Sequence, residues 1–157
     1  MESHNSLIVD AVITWVDGND PKHREKMSQY IEDKNSLNNK SVRMRYDQID
    51  EIEFSVKSIL KYAKFVRNIF IVTDNQTPNF LIDIEVAKQK YPNVFIIDHS
   101  IIFREYKHYL PTFNCLPIES LLYKIPNLAE HFLYLNDDFF LLRETNVSDF
   151  FIYNKPV

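Results

Sequence analysis

Four short apolar runs separate the polar stretches of this chain. They cover residues 7–16, 68–73, 94–98 and 132–135, and each is rich in β-branched or aromatic side chains. Runs of this length and composition are typical of buried β-strands. The core predicted from them consists of Val12, Ile13, Ile69, Ile71, Phe95, Ile97, Phe132 and Tyr134.

Helical patterns lie between these strands. The predicted helices run over residues 21–33, 50–63, 79–90 and 114–124. Pro21 suits the first turn of the first helix, and Pro117 must sit in the first turn of the last. Apolar residues spaced i, i+4, i+7 and i+8 support the second helix, where Asp50 and Glu53 resemble a capping box.

Alternation of strands and helices favours parallel pairing, and therefore a layered α/β fold with a mostly parallel central sheet. We expect one domain over residues 1–157. Ligands of such sheets bind beyond the carboxyl ends of the strands. The carboxyl end of every predicted strand carries polar or acidic residues, within positions 15–18, 73–76, 98–99 and 136–138.

Asn136, Asp137 and Asp138 interrupt the last apolar stretch. Two adjacent carboxylates repel each other, and burial increases the free-energy cost of bringing them together. A hard divalent cation, Mg²⁺ or Mn²⁺, would offset both effects and could bridge a diphosphate. The alternative is a solvated turn that closes a hairpin.

Composition excludes several classes of protein. Hydrophobic residues make up 45% of the 157 residues, which indicates a globular chain. The net charge of −4 does not indicate a protein that binds nucleic acid. Gly18 is the only glycine, so neither a dinucleotide-binding glycine motif nor a P-loop is present. Cys115 is the only cysteine and is expected to be a small buried residue.

The cellular location expected from the sequence is the bacterial cytoplasm. A single cysteine cannot form an internal disulfide, which favours a reducing compartment. No apolar run approaches the roughly 18 residues of a transmembrane helix, and the first residues lack the features of a signal peptide. Peripheral contact with the inner membrane remains compatible with these observations.

Five segments together resemble the first two conserved regions of the Stealth family. They are IVDAVITWVDGNDP at 8–21, SILKYAKFVRNIFIVTDNQ at 58–76, IDHSIIF at 97–103, LPTFNCLPIES at 110–120 and IPNLAEHFLYLNDDFF at 125–140. Members of this family are sugar-1-phosphate transferases of bacterial capsule synthesis, related to the animal N-acetylglucosamine-1-phosphotransferase of lysosomal targeting. The match covers nearly the whole chain in order.

The resemblance implies a glycosyltransferase-A-like fold, a UDP-sugar donor, a divalent metal and an oligosaccharide or polysaccharide acceptor. Hexose-1-phosphate would be transferred to a sugar hydroxyl in capsular or exopolysaccharide synthesis. The residues that the family pattern assigns to the nucleotide are Thr14, Trp15 and Val16, followed by Asp17 and Gly18. Arg43 or Arg45 would meet donor phosphate, Asn114 and Glu119 would lie near the active site, and Asp137 and Asp138 would hold the metal.

Phosphoryl transfer also needs a group that takes the proton of the acceptor hydroxyl. His99 and Glu119 are the candidates within this chain, with Arg45 as a stabiliser of phosphate oxygen. Each has a structural alternative: a hydrogen-bonded strand-end histidine, a locally paired glutamate and a solvated arginine loop. Trp15 similarly suits either a core position or a wall against uracil.

The chain departs from the family pattern at a few positions. Glu53 and Lys57 stand where arginines are usual, and Leu121, Tyr123 and Lys124 replace histidines and an arginine. Two later conserved regions of the family are absent, which suggests an amino-terminal portion, an interrupted reading frame or one piece of a split enzyme with a second chain. We therefore expect slow or no turnover by this chain alone. The alternatives are a metal-dependent glycosyltransferase that releases UDP, or a non-catalytic remnant that folds or binds nucleotide.

Overall fold

A parallel four-stranded sheet forms the centre of the protein. The structure, a computed structural model, describes residues 7–32, 39 and 48–157. The strands are β1 (Val9–Thr14), β2 (Val66–Thr73), β3 (Val94–Asp98) and β4 (His131–Asn136), in the spatial order β3-β2-β1-β4. All three pairings are parallel. The predicted α/β class is confirmed, and the layered arrangement is consistent with a glycosyltransferase-A-like fold.

Short helices connect the strands. They are α1 (Pro21–Ser28), α2 (Glu51–Tyr62), α3 (Ile84–Lys90), α4 (His99–Ile102) and α5 (Cys115–Glu119). Single 3₁₀ turns occur at Asn79–Leu81, Lys107–Tyr109, Leu122–Lys124 and Val147–Asp149. A small antiparallel pair, β5 (Phe151–Ile152) and β6 (Lys155–Pro156), follows. Within the described ranges, no helix has the length and hydropathy needed to cross a membrane.

Three helix predictions were wrong in their extent. The first helix ends at Ser28, where the N–H of Gln29 donates to the carbonyl of Lys26 and the N–H of Tyr30 to that of Met27. The segment 79–90 is divided because the side chain of Asp83 accepts the N–H groups of Glu85 and Val86 and so begins a new helix there. The last helix stops at Glu119 and continues only as a 3₁₀ turn.

The predicted capping box at the start of α2 was also wrong. Asp50 has a φ of 64° and makes no side-chain cap bond. Its carboxylate instead accepts a hydrogen bond from Asn79 Nδ2 at 2.8 Å. Glu53 points to Lys57 and Tyr91. A long-range contact has therefore replaced the local one.

Two apolar layers cover the faces of the sheet. On one face, α2 packs against alternate residues of β1 and β2; this layer includes Ala11, Ile13, Trp15, Ile52, Val56, Ile59, Ile69 and Ile71. On the other face lie Val12, Phe70, Val72, Ile97, Ile102, Phe103, Ile118, Leu122 and Ile125. β1 is buried on both faces because it lies between β2 and β4.

Most of the predicted core is confirmed. Val12, Ile13, Ile69, Ile71 and Ile97 are buried, and Phe132 is half-buried against the second layer. Phe95 and Tyr134 were wrongly assigned to the core, since 42% and 37% of their surfaces are exposed. They belong to β3 and β4, the two outer strands of the described sheet. Cys115 is also exposed, contrary to expectation.

Candidate functional site

A cavity of about 370 Å³ lies beyond the carboxyl ends of β1 and β4. Its walls include Thr14, Trp15 and Val16 after the first strand and Asn136, Asp137 and Asp138 after the last. Thr14 and Asn136 are neighbours in the parallel register, so these two segments leave the sheet side by side. The predicted convergence of polar strand ends is therefore present in the structure.

Trp15 occupies a core position and also forms part of the cavity wall, and its contact with uracil stays a prediction. It is only 5% exposed and packs in the layer that contains α2, yet it also lines the cavity. Its backbone N–H donates to the carbonyl of Val72 at 2.9 Å, which holds it beside β2. Its indole N–H is buried without a hydrogen-bond partner among the described residues. A buried donor of this kind costs about 1–3 kcal/mol unless it finds an acceptor.

Asp17 and Gly18 belong to a turn that Gln76 holds in place. The Asp17 N–H donates to Gln76 Oε1 at 2.8 Å, and Gln76 Nε2 donates to the Asp17 carbonyl at 2.9 Å. Gly18 is buried and its φ is not positive. Glycine therefore suits this position because it has no side chain, not because the backbone is left-handed. Neither Asp17 nor Gly18 is among the cavity-lining residues. Their predicted nucleotide contact stays a prediction, and sequence reasoning did not identify the part played by Gln76.

The Asp137–Asp138 turn is anchored to α2 rather than folded into a hairpin. Ser55 Oγ donates to the Phe139 carbonyl at 2.8 Å, and the Leu141 N–H donates to Ser58 Oγ at 3.0 Å. The strand before the turn pairs with β1, not with the chain that follows it. The hairpin alternative was therefore wrong.

Negative charge is concentrated beside this turn. Burial, together with smaller contributions from the charges of Glu51 and Asp138, raises the pKa of Asp137 to about 6. Glu51, the first residue of α2, lines the same cavity and was not singled out from the sequence. The only sequence signal for it was its place at the start of an amphipathic helix.

The residues present can supply only part of the coordination shell of a divalent cation. Among the residues described, no group of three or more His, Cys, Asp or Glu side chains is arranged to hold a metal ion. Asp137 and Asp138 nevertheless supply hard oxygen atoms at the cavity wall. Mg²⁺ is commonly held by one or two carboxylates, with substrate phosphates and water completing the shell. The donor set is compatible with that arrangement.

His99 lies buried at the start of α4, directly after β3, and lines the cavity. Burial lowers the pKa of its imidazole, although the nearby carboxylates of Asp74 and Asp98 oppose this. Asp98 accepts the N–H of Ser100 at 2.9 Å and that of Asn75 at 2.7 Å, which fixes the strand end. A neutral imidazole at the cavity wall can accept a proton.

A second cluster of charged groups adjoins the cavity and was missed by sequence reasoning. His23 Nδ1 lies 3.1 Å from Asp74 Oδ2, and Lys26 Nζ lies 2.7 Å from both Asp74 oxygens. The hydrogen bond with His23, followed by those with Lys26, lowers the pKa of Asp74 to about 2. His23 also lines the cavity. The sequence pattern that could have indicated this cluster is His23 and Lys26, three residues apart on one helix, together with Asp74 at the end of a strand.

Asn114 and Glu119 occupy different positions relative to the cavity. Asn114 lines it and caps α5, accepting the N–H of Leu116 at 3.1 Å. Glu119 is not among the lining residues; it accepts a hydrogen bond from the hydroxyl of Tyr134 at 3.0 Å. That hydroxyl is also 3.0 Å from Thr14 Oγ1, so Glu119 reaches the cavity wall through Tyr134.

Two predicted phosphate ligands, Arg43 and Arg45, lie outside the described residues. The departures on α2 can be placed: Glu53 and Lys57 form an ion pair with a distance of 2.7 Å, and neither lines the cavity. The reversed charge at position 53 therefore faces Tyr91 instead of the candidate site.

The fold and cavity describe an α/β protein with a cavity at the carboxyl edge of a parallel sheet, and comparison with known families identifies which α/β family it is. Residues 9–34 match the model of Stealth protein CR1, conserved region 1, and residues 45–156 match that of Stealth protein CR2, conserved region 2. The chain belongs to the Stealth family.

Curated relatives carry related names. A capsular polysaccharide phosphotransferase of Actinobacillus pleuropneumoniae is 44% identical over 146 residues, covering 91% of this chain and 38% of the relative. An exopolysaccharide phosphotransferase of Streptomyces coelicolor is 42% identical over 146 residues, which cover 93% of this chain and 23% of the relative. A capsular polysaccharide phosphotransferase of Neisseria meningitidis is 40% identical over 145 residues, which cover 91% of this chain and 37% of the relative. The chain thus spans less than two fifths of the length of these relatives.

Proposed function

We propose that the protein transfers hexose-1-phosphate from a UDP-sugar to a sugar hydroxyl in capsular or exopolysaccharide synthesis, and that the cavity described above holds the donor. The observation that carries this proposal is the joint lining of one cavity by Thr14, Trp15 and Val16 and by Asp137 and Asp138. The names of the relatives, all phosphotransferases of capsule or exopolysaccharide, support the same reaction class.

In this proposal the two walls of the cavity bind different parts of the donor. Trp15 and its neighbours contact the uracil, because the indole lines the cavity and gives it an apolar wall. Asp137 and Asp138 would hold Mg²⁺ or Mn²⁺, the ions that suit their hard oxygen atoms. When bound, the cation supplies neutralisation of the charge on the transferred group.

The reaction is an in-line displacement at phosphorus. An oxygen of the acceptor hydroxyl forms a bond to the β-phosphorus, the one that carries the sugar. The bond between that phosphorus and the bridging oxygen breaks, and UMP leaves with the bonding electrons. The hydroxyl proton passes to the imidazole of His99, which burial keeps neutral. A phosphodiester between the sugar and the acceptor remains.

Donor binding is tested by calorimetry. Mn²⁺ is titrated into the protein with and without UDP, using wild type, Asp138→Ala and the control Glu130→Ala, an exposed acid at the far end of β4. We expect weak binding of Mn²⁺ alone, tighter binding with UDP, and loss only in Asp138→Ala. Equal binding by all three proteins would remove the metal–diphosphate site from the proposal.

The reaction class is read from the nucleotide product. The complete protein is incubated with UDP-hexose, Mn²⁺ and a capsule-type oligosaccharide, and nucleotides are separated by chromatography. We expect UMP, together with an acceptor that gains a hexose and a phosphate. UDP as the only product, with an acceptor that gains a hexose alone, would instead indicate glycosyl transfer.

A further inference from the structure

A second cavity, of about 650 Å³, adjoins the candidate donor site. Phe103, Tyr106 and Tyr109 form one side of it, and Leu116, Pro117 and Leu121 form the other. We call it the aromatic groove. Thr112 and Asn114 line both this groove and the donor cavity, so the two spaces are adjacent at these residues.

The aromatic side of the groove is open to a ligand. Tyr106 and Tyr109 are 39% and 63% exposed, whereas Phe103 is 2% exposed and forms the floor. The two tyrosine rings lie with their centroids 6.5 Å apart and their planes inclined by 43°. Lys124 Nζ lies 5.0 Å from the centroid of Tyr106 and pairs with Glu105, which helps to hold that ring in place. The groove therefore presents two adjacent aromatic surfaces.

The polar groups of the groove are uncharged. Thr112, Asn114 and Ser120 supply hydroxyl and amide groups, and no Asp, Glu, Lys, Arg or His is among the lining residues within the described part of the chain. A phosphate-bearing ligand would meet no cation among these lining residues, and Lys124 beside Tyr106 is already paired with Glu105. Aromatic faces with a few neutral hydrogen-bonding groups suit a ligand that is apolar on one face and hydroxylated at its edge.

From this geometry we infer that the aromatic groove binds the sugar rings of an uncharged acceptor glycan and presents its hydroxyl to the donor cavity. The C–H face of a pyranose ring packs on Tyr106 and Tyr109, and its hydroxyls bond to Thr112, Asn114 and Ser120. The shared residues Thr112 and Asn114 then mark the junction at which acceptor and donor meet. The claim that the groove directs an acceptor hydroxyl towards the donor cavity rests on the proposed function. The claim that the groove binds a glycan does not.

The test measures glycan binding by saturation-transfer NMR. Neutral tetrasaccharides of glucose, galactose and N-acetylglucosamine are the probes, and wild type is compared with Tyr109→Ala and with Tyr106→Ala/Tyr109→Ala. We expect at least one probe to bind wild type and the double variant to bind it about tenfold more weakly. Tyr109→Phe should retain binding because the ring face remains. Tyr153→Ala, which removes a side chain that is 94% exposed outside the groove, is the control.

UDP binding by the same variants separates the two proposals. Tyr106 and Tyr109 do not line the donor cavity, so UDP affinity should be unchanged, which also shows that the variants are folded. If no probe binds wild type, or if the alanine variants bind it equally well, the groove assignment is overturned even where UDP still binds. If a probe binds through the tyrosines but UDP does not bind, the groove assignment stands and the proposed donor site fails.

Discussion

Arg67 and Asp10 form a bidentate ion pair that joins the first two strands of the sheet. Arg67 Nε and Nη2 lie 3.0 and 2.7 Å from the two carboxylate oxygens of Asp10, which is completely buried. Asp10 also accepts the N–H of Asn68 at 3.1 Å and that of Ala129 at 2.7 Å. A single carboxylate thus links β1, β2 and the segment that leads into β4.

Replacing Asp10 with asparagine should strongly destabilise the fold. The amide would face two backbone N–H donors and an arginine with only one oxygen to accept, so we expect a loss of about 2–4 kcal/mol in the free energy of unfolding. Urea denaturation followed by circular dichroism measures this. Glu85→Gln, at a side chain that is 88% exposed, is the control and should change stability by less than about 0.5 kcal/mol. A similarly small change in Asp10→Asn would contradict the role given to this pair.

Asp74 should make stability depend on acid pH. Its folded-state pKa of about 2 lies below the ordinary value of 3.8, because His23 and Lys26 favour its charged form. The stabilisation, about 2 kcal/mol, is therefore present above pH ~5 and is lost as the pH falls through 4 towards 2. Unfolding free energies of wild type and Asp74→Asn, measured from pH 7 to pH 2, should converge at the acid end. Glu25→Gln, an exposed acid on α1, should show no such convergence; a constant gap for Asp74→Asn would refute the prediction.

Ser55 should influence the affinity of the candidate metal site without contacting it. Its hydroxyl holds the carbonyl of Phe139, the residue after Asp138, and it is fully buried. Ser55→Ala should lose about 1 kcal/mol of stability and bind Mn²⁺ with UDP about tenfold more weakly. Ser58→Ala is the matched comparison. Ser58 accepts the N–H of Leu141, which lies two residues further from Asp138 than Phe139 does, so this variant should lose stability with a smaller change in affinity. Unchanged affinity in Ser55→Ala would mean that this anchor does not position the carboxylates.

Removing the charge at Glu53 should leave nucleotide binding unchanged. Glu53 pairs with Lys57 and accepts the Tyr91 hydroxyl at 3.1 Å, away from the cavity. Calorimetry with UDP and Mn²⁺ should give affinities for Glu53→Ala and wild type that agree within about twofold, and the loss of stability should be below about 1 kcal/mol. Tighter UDP binding by Glu53→Ala would show that this side chain repels donor phosphate after all.

Cys115 provides a direct probe of cavity occupancy. It is the only cysteine of the chain, it is exposed, and it lines the cavity. UDP with Mn²⁺ should slow its modification by dithionitrobenzoate, with the same concentration dependence as the calorimetric binding. Asp138→Ala should need a much higher UDP concentration for the same protection. Modification at an unchanged rate while calorimetry reports binding would place UDP elsewhere.

The sequence by itself determined the fold class and the edge of the sheet at which the cavity lies. The third strand has the predicted bounds, and the first, second and fourth differ by only a few residues, because burial of an apolar run is a local pattern. Parallel pairing followed from helices between strands, and it placed Trp15 and Asp137 on one edge.

Only the tertiary structure decided which side chains surround the cavity and which lie on the outside. Phe95 and Tyr134 are exposed because β3 and β4 are outer strands, and apolar periodicity does not specify strand order. His23 meets Asp74 across 51 positions of sequence, and Asp10 meets Arg67 across 57. Such pairs form only once the strands have taken their places, since their free energy depends on the burial and distance that the assembled sheet imposes.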